Sequence, residues 1–353
     1  MVKSKMAGKV QTVLGPVEPD ALGATLTHEH LLFDASTIPV APPDEASERS
    51  WKDAPFTMER RGGLAKRFLG GCHNNELRSV DVAIHEALRF KHAGGGTLVD
   101  VTSGGLCRDP LGLARISRAA GLNIVMGGSY YMPVAHPPGT DRRPVDSIAQ
   151  EIIRDITVGV GETGVRMGVI GEVGNMWPAR PVEATVLKAS AQAALETGAK
   201  VLIHPGYHLK SPPHVIETLV KAKLPPEQII MGHLDAFHDR AWLRDLTQMG
   251  TFLEWDLFGL EDSELGAVAG QPVDFGSDVQ RLDDVEFALS QGCGERVVLG
   301  HDVCTQFQLT RNGGKGYAHI LENIVPRMRK RGFTETQVHN LLVANPARAL
   351  AFR

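Results

Sequence analysis

Six residues able to bind a metal or carry a proton recur where short apolar runs end. His28 and His30 stand in Thr27-His28-Glu29-His30, and Glu172 stands in Gly171-Glu172-Val173-Gly174. His204 opens His204-Pro205-Gly206, His233 lies in Gly232-His233-Leu234-Asp235, and Asp302 lies in Gly300-His301-Asp302. Imidazole and carboxylate suit zinc, and also manganese, cobalt or iron. Singly, each has a plainer reading. An H-x-H pair can be two histidines satisfied by hydrogen bonds, His204 and His233 can be core histidines, and a strand-end aspartate is often a helix cap. Jointly they are specific. Six ligands are too many for one tetrahedral ion and suit two divalent ions that share Glu172. A buried, unpaired Glu172 would be costly, and a cation removes that cost.

The positioning elements follow from the runs themselves. Val-, Ile-, Leu- and Met-rich runs read as buried parallel strands. Eight are present, over Ala24–His30, Thr97–Val101, Leu122–Gly127, Met167–Glu172, Val201–His204, Gln228–His233, Thr251–Glu254 and Arg296–Asp302. Residues two apart on a strand share a face, so His28 and His30 point together and Glu29 points away. By the same rule His301 faces away from Asp302 and is the poorer ligand. Helical patterns fill most gaps. Ser79–His92 carries an apolar stripe, Pro181–Thr197 runs from Pro to Gly198, Asp278–Gln291 ends before Gly292, and Thr334-Glu335-Thr336-Gln337 reads as a capping box. This alternation predicts an α/β fold, a (β/α)8 TIM barrel, with the six residues at the C-terminal ends of its strands, where such barrels build active sites. One domain is expected over 1–353, with a long insertion after the first strand at about 31–77 that should lie over the barrel mouth. Leu257–Phe275, Gly-rich and acidic, reads as a second mouth loop and candidate lid.

Composition narrows the function classes. The 353 residues carry 42% hydrophobic residues and a net charge of −4. No basic block predicts nucleic-acid binding, and no apolar run of about 18 residues predicts a membrane span. The N-terminal residues lack the apolar core of a signal peptide. Cys72, Cys107, Cys293 and Cys304 show no C-x-x-C pairing and read as reduced thiols of a cytoplasmic protein. The expected partner is a small-molecule substrate.

The whole chain resembles the amidohydrolase superfamily and, within it, the phosphotriesterase family, most closely its phosphotriesterase-related branch. The likeness is carried by Gly8-Lys9-Val10-Gln11-Thr12-Val13-Leu14-Gly15, Leu26-Thr27-His28-Glu29-His30, Ile170-Gly171-Glu172-Val173-Gly174, Ile203-His204-Pro205-Gly206, Asp256-Leu257-Phe258-Gly259 and Gly313-Gly314-Lys315-Gly316-Tyr317. The resemblance implies that His28, His30 and Asp302 hold a buried ion, that His204 and His233 hold a more exposed one, and that Glu172 bridges them. It also implies a homodimer. Phosphotriesterases proper carry a carboxylated lysine at the bridge. Glutamate keeps its single negative charge but is shorter, which sets organophosphate turnover apart from the binuclear centre itself.

Two cations would lower the pKa of a shared water to give a bridging hydroxide, and Asp302 is the expected proton shuttle. The resemblance implies an amidase for small N-acyl amino compounds of the N-acetyltaurine type. Lactone or carboxylic ester hydrolysis, promiscuous phosphotriester hydrolysis and a non-catalytic ligand-binding barrel are the alternatives. Tyr130, Tyr131, Tyr207, His208, Lys210, Trp255 and Phe258 follow strand ends and are candidates for the pocket wall. Lys210, Arg311 and Lys315 are candidate cations for an anionic substrate.

Overall fold

Eight strands, numbered β1 to β8, ring an apolar interior. They are Ala24–Glu29, Gly95–Asp100, Asn123–Met126, Ile170–Gly174, Val201–His204, Ile229–Met231, Phe252–Trp255 and Val297–Leu299. The computed structural model describes residues 6–36, 38, 53–66, 68, 71–261, 263–268 and 271–353. β1 to β3 pair in order, as do β4 to β8, and every pairing is parallel. Two seams close the ring. At β3–β4, Gly168 N–H donates to Met126 O at 2.8 Å, and Gly128 and Gly171 exchange backbone bonds of 2.6 Å. At β8–β1, Asp302 N–H donates to His28 O at 3.1 Å and Thr27 Oγ1 donates to Leu299 O at 3.2 Å. Gly300 permits the second seam, because a Cβ there would lie 2.8 Å from His28 O.

Alternation along the strands sorts the side chains. Val99, Val125, Val169, Leu202, Ile230, Phe252 and Val298 form one buried cluster, floored by Val10, Leu22 and Leu350. Their neighbours Leu98, Ile124, Ile170, Ile203, Met231, Leu253 and Leu299 belong to the larger cluster that includes the helices. Continuing the inner face by two residues takes Leu202 to His204 and Val298, through Gly300, to Asp302. Packing therefore aims the chemistry.

A helix follows each of the first seven strands, over Val80–His92, Pro110–Ala120, Val145–Thr157, Pro181–Thr197, Ser211–Lys221, Arg240–Thr247 and Asp278–Ser290. Ser79, Asp109 and Asp239 cap three of them by accepting from Val82, Gly112 and Trp242 N–H. Each such cap contributes about 1 kcal/mol. The expected capping box at Thr334 is present, with Thr334 accepting from Gln337 N–H.

In the insertion after β1, Phe33–Asp34 pairs antiparallel with Glu76–Leu77 and so closes its base. Arg61–Lys66 is a short helix, and the Phe68 ring packs on Phe275 at 5.2 Å and Phe307 at 6.4 Å. Pro39, Pro42, Pro43 and Trp51 lie outside the described residues. After β7, Glu264–Val268 pairs antiparallel with Gln271–Asp274.

A buried ionic cluster anchors the helix after β7. Asp278 accepts from His319 Nε2 at 2.8 Å, Gly259 N–H at 2.8 Å and Arg281 Nη1 at 3.2 Å. Burial opposes its ionisation, but these bonds and the Arg281 charge outweigh burial and hold the carboxyl well below the usual range. A depressed folded pKa stabilises the fold above the unfolded value of about 4, and the contribution is lost as pH falls through the folded value. The melting temperature of the protein is therefore expected to drop more steeply between about pH 4 and pH 2 than that of Asp278→Asn. Parallel curves in a melting series would show that the cluster carries no such linkage.

Candidate metal centre

The barrel brings all six predicted residues to one place. Glu172 is the hub. Its Oε1 lies 3.4 Å from His30 Nε2, while its Oε2 lies 3.1 Å from His204 Nδ1 and 3.5 Å from both His28 Nε2 and His233 Nε2. Asp302 Oδ1 lies 3.2 Å from His30 Nε2 and 3.9 Å from His28 Nε2. Three overlapping donor groups result among the described residues, a first of His28–His30–Asp302, a second of Glu172–His204–His233 and a third of His28–His233–Asp256, each with its donor atoms within 4.8 Å of one another. All six residues are buried, Asp302 least so at 6% exposure.

Local backbone irregularities do the aiming. The register of β4 on β5 slips between Ile170 and Val173, which turns Glu172 inward although Val169 already faces the interior. Gly171 allows this at φ 145°, where a Cβ would lie 2.3 Å from Leu202 O. The prediction placed Glu172 at a strand end, but β4 runs on to Gly174. β8 stops at Leu299, and Asp302 lies beyond it at φ 49°. His233, just past β6, adopts φ 54°. Left-handed backbone at non-glycine residues costs about 1 kcal/mol or more and is characteristic of functional positions.

Hydrogen bonds on the far side of the His28, His30 and His233 rings decide which nitrogen faces the hub, whereas His204 faces it through Nδ1 and its Nε2 is buried without a partner. His28 Nδ1 lies 3.0 Å from Asp256 Oδ2 and 3.1 Å from Glu254 Oε2, and His233 Nδ1 lies 2.8 Å from Asp256 Oδ1. His30 Nδ1 lies 2.8 Å from Thr102 Oγ1. With Nδ1 of His28 and His233 donating, the neutral ring turns an Nε2 lone pair toward Glu172. His28 Nε2 is buried there without a hydrogen-bond partner. Lone pairs facing a buried carboxylate are unfavourable unless positive charge lies among them, so the donor set fits divalent cations. Without an ion, protons supply that positive charge: burial lowers the His30 and His233 pKa values, but the carboxylates of Asp302 and Glu172 push His30 up to about 9, and those of Asp256 and Glu172 push His233 up to about 10. Burial likewise opposes ionisation of Glu172, but the four imidazoles outweigh it and hold its carboxyl well below the usual range.

Glu254 and Asp256 are the functional residues that the sequence reading missed. Their signal was the alternation Phe252-x-Glu254-x-Asp256, which lies on the inner face of β7 and its extension. Trp255 correspondingly faces the outer core and is fully buried. Glu29 points away from the hub as predicted, accepting from His301 Nδ1 at 2.7 Å and from the Val303 N–H at 3.2 Å. Of the other candidates, Tyr131 and Tyr207 reach the centre. Tyr131 OH lies 3.5 Å from His204 Nδ1, and the Tyr207 ring stacks on His233 at 5.9 Å. Tyr130 is bonded to Glu151, and His208 stacks on Trp177 at 5.3 Å.

Asp256→Asn is expected to keep the shape but lose the charge that orients two imidazoles. Removing such a supporting group weakens metal affinity about 10- to 100-fold. Titration with a chelator and elemental analysis check this, and unchanged retention of both ions would remove the supporting role.

Comparison with known proteins places this geometry. The phosphotriesterase family profile matches residues 8–350. The chain is similar to an N-acetyltaurine hydrolase of Danio rerio, at 38% identity over 354 residues, covering 99% of this chain and 100% of that protein. It is similar to the crystal structure of a resiniferatoxin-binding protein from Rhodobacter sphaeroides, with a TM-score of 0.92 and 31% identity, covering 98% of this chain and 97% of that one. It is also similar to an organophosphorus hydrolase from Deinococcus radiodurans, with a TM-score of 0.73 and 26% identity, covering 99% of this chain and 98% of that one. A likeness that spans residues 8–350 has one consequence: the chain belongs to the phosphotriesterase family.

Proposed function

We propose that this chain is a metal-dependent amidase for small N-acyl amino compounds of the N-acetyltaurine type. The observation that carries the reading is Glu172, whose Oε1 faces His30 and whose Oε2 faces His28, His204 and His233 in a buried hub. In this reading His28, His30 and Asp302 hold one divalent ion and His204 and His233 a second. Glu172 would be shared between them, and zinc is the first candidate, with manganese, cobalt or iron as substitutes. When bound, the ions supply activation of water and polarisation of the carbonyl under attack.

The chain's own residues do the rest. Asp302 takes the proton of the attacking water and passes it to the leaving nitrogen as the C–N bond breaks. It is the least buried of the six, which suits a group that exchanges protons. Tyr131 OH, beside His204, can donate to the substrate carbonyl oxygen. Asp256 and Glu254 keep His28 oriented.

Full-length identity to N-acetyltaurine hydrolases supports the amide substrate. The similarity to a phosphotriesterase-like lactonase and an organophosphorus hydrolase, both from Deinococcus radiodurans, keeps lactone, ester and phosphotriester hydrolysis as the second reading, since the same water would attack any of these bonds. The resiniferatoxin-binding neighbour supports a third, a barrel that binds without turnover. A screen of metal-reconstituted protein on N-acetyltaurine, N-acyl amino acids, lactones and phosphotriesters decides between them. Amides should be cleaved fastest. We also propose one barrel domain over 1–353, a homodimer and a cytoplasmic setting. Family resemblance supports the dimer, and the unpaired Cys107, Cys293 and Cys304 support a reducing compartment. No helix among the described residues is long and apolar enough to cross a membrane.

A further inference from the structure

We infer that Glu29 is a positioning residue for Asp302: its carboxylate holds the backbone on both sides of that residue, and proton transfer depends on the hold. The inference rests on the reading of Asp302 as the proton shuttle. Glu29 stands between His28 and His30 and is fully buried. Its Oε1 accepts from the His301 N–H at 2.9 Å and from His301 Nδ1 at 2.7 Å, and its Oε2 accepts from the Val303 N–H at 3.2 Å. The residues immediately before and after Asp302 therefore converge on one carboxylate. Asp302 itself, at φ 49°, donates its N–H to His28 O at 3.1 Å and places Oδ1 3.2 Å from His30 Nε2. Left-handed backbone at a non-glycine residue persists where the surroundings over-determine it. Here two successive residues of β1 supply that constraint.

The chemistry of the hold calls for a carboxylate. Three N–H groups point at Glu29, and a carboxylate offers an acceptor on each oxygen. Burying it is costly unless it is hydrogen-bonded, and these bonds offset the cost. His301 braces the carboxylate in turn. The Ile320 N–H donates to His301 Nε2 at 3.0 Å, so Nδ1 carries the hydrogen that goes to Glu29. The same segment reaches the chain beyond β1 directly, since Tyr317 OH donates to His30 O at 2.7 Å. An amide in place of the carboxylate keeps one accepting oxygen, which the two His301 donors would claim. Its NH2 group would then oppose the Val303 N–H and release the chain after Asp302, while the Asp302 N–H stays tied to His28 O. A displacement of about 1 Å at a reacting group can cost about 10²-fold in rate. Proton delivery to a leaving nitrogen is the step that depends most on that aim.

The test compares kcat on N-acetyltaurine and on an activated acetate ester in metal-reconstituted protein. In Glu29→Gln the amide-to-ester ratio should fall at least about tenfold, with KM for the amide within about twofold and both ions retained by elemental analysis. Hydrogen exchange gives a readout independent of turnover. The Val303 amide should exchange at least about tenfold faster in the variant, with the amides of β4 to β6 unchanged. In an Asp302→Asn background, adding Glu29→Gln should move the ratio by less than about twofold, because the shuttle it positions is already gone. An unchanged ratio in folded, metallated Glu29→Gln overturns the inference, and so does a further full loss in the Asp302→Asn background. Activity lost in proportion to metal also overturns it, since Glu29 would then support the ion and not the aim. Should Glu29→Gln fail to fold, His301→Phe removes the side-chain bond to Glu29 while keeping a ring. It should lower the ratio at least about threefold, and a fixed ratio there overturns the inference. Absence of turnover on every N-acyl compound overturns the amidase reading instead. The ratio is then read between an alkyl and an aryl ester, whose leaving groups differ in the same way, and a fixed ratio overturns the inference independently.

Discussion

Glu172→Gln is expected to lose metal and activity together while the barrel stays folded. The substitution keeps size and shape and removes one negative charge from the hub. Four imidazole nitrogens and two proposed cations are arranged around that charge. Removing one partner from a buried charged cluster costs about 3–5 kcal/mol, which is roughly 10²- to 10⁴-fold in ion affinity. Elemental analysis should therefore find well under two equivalents in the variant and close to two in the parent, and circular dichroism should find the same helix content. A bridge made by an ordinary carboxylate has a second consequence. Reconstitution of the parent should proceed equally well with bicarbonate removed, because no lysine has to be carboxylated. A variant that keeps both ions and full turnover would mean that Glu172 is not the bridge.

The barrel was legible because a parallel strand buried on both faces leaves a continuous apolar run, and eight such runs separated by helical patterns admit few other folds. β5 matches its predicted limits, and β1, β2, β3, β6 and β7 lie within a few residues of theirs. β4 was the exception. Its irregularity depends on Gly171 at positive φ approaching Leu202 O, a contact with a distant residue that no local pattern records. β8 was predicted too long for a related reason. Gly300 and the left-handed Asp302 continue the chain toward the mouth without strand pairing.

The six hub residues were legible because histidines and carboxylates at strand ends are chemically conspicuous. Their supports were not. Glu254 and Asp256 resemble ordinary polar residues in Thr251-Phe252-Leu253-Glu254-Trp255-Asp256 until the inner face of β7 is known. That face places both carboxylates against His28, and Asp256 also against His233. Trp255 was a candidate for the pocket wall because it follows a predicted strand end, and the alternation of β7 turns it into the outer core. Nor could the sequence distinguish Tyr207 from Tyr130. Both follow strand ends, but Tyr130 is tied to Glu151 while Tyr207 is turned to the two histidines.

Asp302→Asn is expected to damage amide hydrolysis far more than hydrolysis of activated esters. An amine is a poor leaving group and must receive a proton as the C–N bond breaks, whereas a good leaving group departs unaided. Asp302 is placed for that transfer. Its Oδ1 lies 3.2 Å from His30 Nε2 at the hub, it is the least buried of the six, and Gln308 Nε2 fixes its backbone by donating to Asp302 O at 2.9 Å. Asparagine can still offer an oxygen to the site but cannot take up and return a proton. Loss of the shuttle should lower kcat on N-acyl substrates by about 10² or more, the scale for removing general acid–base assistance. An activated ester, compared in the same preparation at matched metal content, should lose much less. Equal losses on the two substrate classes in fully metallated variant would restrict Asp302 to holding the ion. Faster turnover of phosphotriesters than of every N-acyl compound, in the parent, would overturn the amide reading from which the expectation starts.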